Sequence, residues 1–312
     1  MAIIRPLEER DLDEAATIIR HAFGTFFGVP DLDNFWTDFD YAHGRFAAPH
    51  VAGFAADEDG ALAGSNFATR WGSFGFFGPL SIRPALWDRG IAQPLVAAVC
   101  GAFEEWGLSH TGLFTFAQSA KHLHLYGKFG FHARFLTAIM ARTAAPDATL
   151  GAAVRYSTLS AGDRAAAEAA AAALTDAIYP GLDLTGEIAT VARLGLGDTV
   201  LLYDGSRLAG FGVCHYGPTS EAGGGACYVK FGAVEGGAGA EGRLAALLDA
   251  CAALAQAAGM TKVVAGVNLA REEAYRAMTA LGFRTEFQGV AMHRQNQPGF
   301  GRAGVFVLDD WR

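Results

Sequence analysis

Residues 119–131 read SAKHLHLYGKFGF, and residues 268–283 read NLAREEAYRAMTALGF. Each stretch carries a tyrosine seven positions after its first residue, Tyr126 in one and Tyr275 in the other. The two tyrosines are 149 positions apart, and each stretch leads through a Gly-Phe step into a strand-like run. A spacing repeated over this distance indicates that the chain contains two copies of one domain.

Each stretch closes a similar series of predicted elements. In the first half the strands are at 3–7, 51–56, 63–73, 76–82, 110–116 and 131–142, and the helices at 11–23, 31–42, 92–106 and 120–129. In the second half the strands are at 154–159, 199–203, 208–216, 227–234, 261–267, 283–294 and 304–309, and the helices at 161–178, 187–193, 241–258 and 270–281. This order predicts an α+β fold of two tandem domains, each a mixed, mostly antiparallel sheet flanked by helices. We place the domains at 1–145 and 150–312, because Pro146 and Asp147 interrupt the periodic pattern.

The composition limits the possible classes of function. Of 312 residues, 51% are hydrophobic and 18% charged, which excludes a disordered chain. The net charge of -8 argues against a nucleic-acid partner, since phosphate binding needs a basic face. The four cysteines include no C-x-x-C pair and predict buried thiols, and no His, Asp or Glu spacing resembles a metal site. With no signal segment and no apolar run of membrane-spanning length, we expect a cytoplasmic protein without a membrane partner.

The loop before the 92–106 helix reads WDRGIAQ at residues 87–93. The N-terminus of a helix offers several backbone N–H groups and the positive end of its dipole to an anion. Gly90 and Ala92 keep side chains away from that anion, and Arg89 adds a cation. The same letters also arise in a tight packing turn, so the pattern needs its context.

In this context the first half resembles the GNAT acetyltransferase superfamily, whose signature after the fourth strand is Gln/Arg-x-x-Gly-x-Gly/Ala. Gly90 and Ala92 match the signature, whereas Trp87 stands at the Gln/Arg position. The resemblance implies that the loop amides hold the pyrophosphate of coenzyme A and that the strand pairs with its pantetheine arm. The residues so implied in acetyl-CoA binding are Leu80, Ser81, Ile82, Trp87, Asp88, Arg89, Gly90, Ile91, Ala92, Gln93 and Ser119, the last standing where the family commonly has Asn.

The resemblance also implies a catalytic role for Tyr126, as the general acid that protonates the departing thiolate. From the residues alone, a tyrosine packed on an amphipathic helix is the alternative. The expected function is transfer of an acetyl group from acetyl-CoA to the amine of a small molecule. We expect a monomer or a homodimer.

The general base is harder to assign, because the predicted strands 76–82 and 110–116 carry no carboxylate. His110, a water molecule or a carboxylate of the 31–40 segment are all open. That segment combines aromatic and acidic residues, which would suit an amine with an apolar body. His122 lies four residues before Tyr126 and could face the same way, although such a histidine is more often solvated.

The second half has a less convincing cofactor loop. The glycine-rich run at 236–242 follows Glu235 and contains Glu241, and these two residues place negative charge where a pyrophosphate would bind. We therefore expect a degenerate copy that braces the first domain and lines its substrate cleft, with an active second copy as the alternative.

Two further classes of protein stay open. One is an acyl-CoA-binding protein without catalysis, which the Trp87 departure and the unassigned base would fit. The second is a nucleotide-binding protein with glycine-rich loops. The chain lacks Gly-x-Gly-x-x-Gly after a first strand, and this absence disfavours the nucleotide-binding class.

Overall fold

The computed structural model describes residues 2–144 and 148–312. The strands are β1 (Ile3–Pro6), β2 (Val51–Glu58), β3 (Ala61–Trp71), β4 (Phe74–Phe77), β5 (Ser81–Ile82), β6 (His110–Thr115), β7 (Phe131–Thr143), β8 (Ala153–Arg155), β9 (Gly197–Asp204), β10 (Arg207–Gly217), β11 (Gly223–Val234), β12 (Lys262–Asn268), β13 (Arg284–Arg294) and β14 (Val307–Asp309). The helices are α1 (Leu12–Phe27), α2 (His43–Phe46), α3 (Ala92–Glu105), α4 (Ala120–Gly127), α5 (Ala161–Ile178), α6 (Thr185–Leu194), α7 (Ala240–Ala257) and α8 (Glu272–Ala280). None of these helices is both long and apolar enough to cross a membrane.

Helix boundaries follow local chemistry in several places. The Ser160 hydroxyl accepts a hydrogen bond from the Asp163 N–H at 3.2 Å and caps the start of α5. Helix α1 ends at Gly28, whose φ of 69° is a left-handed conformation that glycine adopts without strain. The side chains that α1 buries recur every three or four residues, as the periodicity predicts: Leu12, Ala15, Ile18, Ile19 and Ala22.

The helix that we predicted at 31–42 is wrong. Turns fill this segment, Trp36 has a φ of 52°, and the nearest helix is the single turn α2. Phe39 forms a β-bridge with Ser220 of the second half, and the Asp40 N–H donates to the Ser220 carbonyl at 3.1 Å. Contacts from a distant part of the chain therefore override the local helical pattern.

The two halves contribute strands to one continuous sheet. Its order is β1-β2-β3-β4-β6-β13-β7-β12-β11-β10-β9-β8, with β5 on β3 and β14 on β11. Strand β13 of the second half lies between β6 and β7 of the first, and β7 lies between β13 and β12. Most pairs are antiparallel, and the parallel ones are β4 with β6 and β11 with β12. The fold is thus the mixed α+β class that we predicted, with one strand of each half placed among strands of the other.

This interleaving of strands affects the division of the chain into two domains. The register Leu136↔Val290 joins β7 to β13, so neither half completes its sheet alone. Our proposed boundary at 145–150 falls partly on residue 145, Pro146 and Asp147, which lie outside the described residues. The division into two domains therefore stays a prediction.

A buried charge network lies where the halves meet. The Lys230 ammonium lies 2.9 Å from a Glu187 carboxylate oxygen and 3.0 Å from one of Glu221. The Arg45 guanidinium also pairs with Glu221, at 2.7 Å, and the His50 ring is 2.9 Å from Glu187. All of these side chains are buried. Such a network leaves a costly unpaired charge if either half moves away, so it fixes how the halves fit together.

Candidate active site

A cavity opens where two parallel strands separate. Strands β4 and β6 pair only as far as Phe77↔Leu113, and beyond that point Ser81 and Ile82 pair with β3 on their other side. The cavity beside this free strand edge has a volume of about 790 Å³. Its size and position are those of a ligand site.

One part of the cavity wall, the loop side, is formed by the strand edge and the loop before α3. Its residues are Leu80, Ser81, Ile82, Trp87, Asp88, Gly90, Ile91, Ala92 and Gln93. Asp88 and Gly90 have φ values of 65° and 80°, and this alternation aims successive N–H groups in similar directions. Among residues 2–144 and 148–312, no acceptor pairs with the N–H groups of 88–92. These five donors at a helix N-terminus suit a phosphate group.

Trp87 and Arg89 have roles other than the expected ones. The Trp87 indole N–H donates to the Ile82 carbonyl at 2.8 Å, so the side chain ties the loop to the strand edge. The Arg89 guanidinium pairs with Glu58 at 3.2 Å and does not line the cavity. Arg89 therefore contributes its main chain to the loop, and not its charge.

Ser119 and Tyr126 also line the cavity, Ser119 as the N-cap of α4 and Tyr126 within that helix. Ser119 caps the helix by accepting a hydrogen bond from the His122 N–H at 3.4 Å. Tyr126 is 7% exposed and packs edge-on against Phe77, with ring centroids 5.6 Å apart. Burial raises the pKa of the Tyr126 phenol above its usual value, only partly offset by a hydrogen bond with Thr115. Tyr126 is therefore protonated at neutral pH.

The rest of the wall, the aromatic side, comes from both halves of the chain. The first half supplies Phe23, Phe26, Phe27, Trp36, Phe39, Tyr41, Phe114 and Phe116, and the second half supplies Tyr228, Phe287 and Trp311. Phe26 stacks on Phe116 at 4.3 Å between ring centroids, and Phe116 meets Phe287 edge-on at 5.7 Å. The residues of the second half were missed by the sequence analysis, because no local motif marks them.

The charged side chains on the aromatic side are already paired. Burial would raise the pKa of Glu221, but Arg45 and Lys230 outweigh it and lower the pKa to about 2. Arg312 pairs with Asp310 at 3.0 Å. Lys262 and Glu286, which also line the cavity, pair with each other at 3.0 Å. This wall consequently presents little uncompensated charge.

The side chains that the sequence left open as bases do not line the cavity. His110 is buried against His293, with 2.9 Å between their ring nitrogens, and burial lowers the pKa of His110 to about 4. In the 31–40 segment, Asp38 accepts a hydrogen bond from the Gly224 N–H at 2.6 Å. Asp40 accepts hydrogen bonds from the N–H groups that follow it, at 2.8 and 3.0 Å. These carboxylates hold the segment in place and are absent from the cavity wall.

His122 does lie on the cavity wall, one helical turn before Tyr126. Its ring stacks on Phe26 at 5.4 Å and lies 5.9 Å from Phe116. Within the part of the chain that the structure describes, the His122 Nδ1 atom is buried without a hydrogen-bond partner. Burial, and then the charge of Lys121, lowers the pKa of His122 below its usual value. His122 is therefore a neutral imidazole at neutral pH, between the loop side and the aromatic side.

The second half has a counterpart of the loop side, but it is closed. Strand β14 pairs with β11 through Phe231↔Asp309 and Ala233↔Val307 and covers the strand edge. In the loop before α7, the Arg243 guanidinium donates to the carbonyls of Glu235, Gly236 and Ala238 at 2.9 to 3.0 Å.

The four cysteines are free and buried, as predicted. In residues 2–144 and 148–312, no group of three or more His, Cys, Asp or Glu side chains is arranged to hold a metal ion.

The fold is that of tandem GNAT proteins. A tandem GNAT protein from the clavulanic acid biosynthesis pathway is 13% identical, with a TM-score of 0.59 over 96% of this chain and 100% of that one. A proposed acetyltransferase from Pyrococcus horikoshii is 12% identical, with a TM-score of 0.68 over 98% and 93% of the two chains. A GCN5-related N-acetyltransferase from Sphaerobacter thermophilus is 15% identical, with a TM-score of 0.57 over 96% of each chain.

Part of the first half also matches a family model. Residues 15–131 match the model of the Acetyltransferase (GNAT) family, and no curated protein matches the chain. The match covers 117 of the 312 residues, so this part of the first half is similar to the GNAT family of acetyltransferases. The match spans α1 to the start of β7 and so includes the loop side, Ser119 and Tyr126.

Proposed function

We propose that the protein transfers the acetyl group of acetyl-CoA to the amine of a small molecule in the cavity of the first half. The observation that carries this proposal is the loop at 88–92, whose N–H groups have no acceptor among the described residues and which borders the same cavity as Tyr126. Five donors at a helix N-terminus fit the pyrophosphate of coenzyme A. The strand edge at Leu80 and Ile82, where the Ile82 carbonyl accepts one hydrogen bond from the Trp87 indole, fits the amide groups of its pantetheine arm.

Two side chains of the protein, His122 and Tyr126, carry out the two proton transfers. The bound co-substrate supplies an activated thioester carbon. As the amine nitrogen forms its bond to that carbon, His122 accepts the proton that the nitrogen loses. As the carbon–sulfur bond breaks, Tyr126 donates its phenolic proton to the sulfur and is later reprotonated from solvent. The raised pKa of Tyr126 keeps it in the proton-donating form, and the lowered pKa of His122 keeps it in the accepting form.

His122 is our proposed base because of its surroundings. The other ionisable or charged side chains on the cavity are Asp88, Lys121, His124, Lys128, Tyr41, Glu221, Tyr228, Lys262, Glu286 and Arg312. Of the carboxylates, Glu221 has too low a pKa, Glu286 pairs with Lys262, and Asp88 pairs with Lys121. A neutral imidazole one turn from the proposed acid fits the task better than any of these.

Two measurements test the proposal. Titration calorimetry with acetyl-CoA should give one binding site per chain, and thiol release should rise when a primary amine is added. Absence of binding would overturn the proposal. Binding without amine-dependent thiol release across a broad amine panel would instead favour an acyl-CoA-binding protein without catalysis.

A further inference from the structure

The part of the cavity beside His122, where the amine would bind, is called the acceptor end. The residues that line it restrict which amines can bind there. His122, the proposed proton acceptor for the amine, stacks with Phe26 and lies beside Phe116 on the aromatic side. An amine that delivers its proton to His122 must therefore place its body among these rings. Trp36 and Phe39, 5.4 Å apart between ring centroids, extend the same wall, and Phe287 of the second half faces Phe116. Rings in such a wall favour a flat aromatic guest by stacking and edge-on contacts.

The charges on this side restrict the guest further. Glu221 is held by Arg45 and Lys230, Arg312 by Asp310, and Lys262 by Glu286. A second ammonium, a carboxylate or a phosphate on the guest would lose water and find its counter-charge already engaged. Buried charges that lack a partner are strongly disfavoured.

We propose that the acceptor is an aromatic monoamine, whose ring lies between the aromatic residues of the two halves and which carries no other charged group. This inference rests on the proposed acetyl transfer and specifies its substrate class. Polyamines, amino acids and aminoglycosides would each bring a further charge to a wall whose charges are already paired. The second half enters the reaction as the provider of Phe287, Tyr228 and Trp311, and so as a determinant of specificity.

Matched amines test the class directly. The kcat/KM for acetylation should be measured for 2-phenylethylamine and for three related amines. Phenylalanine adds a carboxylate, 2-cyclohexylethylamine removes the aromaticity, and spermidine adds positive charge. We expect 2-phenylethylamine to exceed phenylalanine and spermidine by about 100-fold, because of the unpaired charge, and the cyclohexyl compound by a few-fold. The kcat/KM with octanoyl-CoA as the acyl donor should be lower than with acetyl-CoA.

Variants of cavity residues test where the aromatic ring of the amine binds. Trp36→Leu and Phe287→Leu keep an apolar side chain and should lower kcat/KM for 2-phenylethylamine by about tenfold, with unchanged acetyl-CoA binding. The control Phe135→Leu changes an exposed residue that does not line the cavity and should have no effect.

A kcat/KM for spermidine or phenylalanine above that for 2-phenylethylamine would overturn the proposed substrate class but would not contradict acetyl transfer. Faster reaction with octanoyl-CoA would assign the aromatic side to the acyl chain and also overturn it. No transfer to any amine would contradict the proposed function instead.

Discussion

The two halves of the molecule contain the same three parts, a strand edge, a loop and a helix N-terminus, but in opposite states. In the first half, β4 leaves β6 after Phe77, and the residues that follow face a cavity on one side. In the second half, β11 and β12 also pair in parallel, from Ala226↔Lys262 to Val229↔Ala265. Beyond that point, however, β14 pairs with β11 and covers the edge. The edge that is free in one half is hydrogen-bonded in the other.

The loops differ in what already contacts them. Among residues 2–144 and 148–312, the N–H groups of 88–92 have no acceptor, and neither do those of 236–239. The loop at 235–239, however, also turns three carbonyls onto the Arg243 guanidinium. The N–H groups therefore do not distinguish the two loops, whereas the bound guanidinium and the strand on the edge do.

The segment at 305–312 contacts both the covered strand edge of the second half and the cavity of the first half. Its residues 307–309 form β14 on the second half, while Trp311 and Arg312 line the cavity of the first half. The Arg312 guanidinium lies 4.0 Å above the Tyr228 ring, which lines the same cavity. We infer that the segment that closes the second site also helps to build the acceptor end of the first. The second half thereby contributes side chains to the cavity of the first.

The largest expected effect comes from adding a negative charge to each loop in turn. Gly90→Glu places a carboxylate, on a residue with φ +80°, beside the proposed pyrophosphate site, and should weaken acetyl-CoA binding roughly 100-fold through charge repulsion. Gly237→Glu makes the same change at φ +82° in the second loop and should leave binding unchanged. Calorimetry on both variants, with thermal unfolding to verify their folding, compares the two sites. Loss of binding in Gly237→Glu alone would make the second half the cofactor site.

The next comparison uses the two tyrosines. Tyr126→Phe removes the proposed proton donor and should lower kcat about 100-fold with acetyl-CoA affinity unchanged. Tyr275→Phe alters the corresponding helix of the second half, where the tyrosine packs against the core beside α7, and kcat should stay the same. Steady-state thiol release and calorimetry separate the two effects. Equal rates for Tyr126→Phe and the unaltered protein would remove Tyr126 from the chemistry.

A smaller effect, with a distinctive pH signature, is expected for His122→Gln. Because the pKa of His122 is lowered, the neutral, accepting form predominates at neutral pH, and kcat/KM should fall only as the pH drops through that lowered pKa. The variant should react about tenfold more slowly at neutral pH, with water as the base, and should lose this acidic limb. An acidic limb identical in both proteins would assign it to another group. His124→Gln, two residues further along α4, serves as the control for a cavity histidine without the stacking on Phe26.

These residues also show what the sequence can and cannot predict. The loop at 87–93, Ser119 and Tyr126 are local features, each defined by neighbours in the chain, and the structure brings all of them except the Arg89 side chain to one cavity. Trp36, Phe39 and Tyr41 of the 31–42 segment also line the cavity, although the helix predicted there is replaced by turns. Their final conformation depends on Ser220, far along the chain.

The pairing of β7 with β12 and β13 could not be predicted from periodicity. Alternating or continuous apolar residues indicate that a segment is a strand, but they contain no information on which strand lies beside it. The contributions of Glu221, Tyr228 and Phe287 to the cavity follow from that pairing and from the interface between the halves. Only the duplicated motif suggested that the second half lines the cleft at all.

The smallest expected effect concerns the arginines of the two loops. Arg243→Ala removes the donor that three loop carbonyls share, and because water can replace it at the surface, the variant should lose only about 1 kcal/mol in the free energy of unfolding. Acetyl-CoA binding should be unchanged, since β14 would still cover the strand edge. Arg89→Ala removes an exposed pair with Glu58 and should cost less than about 0.5 kcal/mol, again with binding within about threefold, because the loop binds through its amides. Urea unfolding and calorimetry measure both quantities. A second binding site in Arg243→Ala would show that Arg243 alone, and not the strand on its edge, closes the second half.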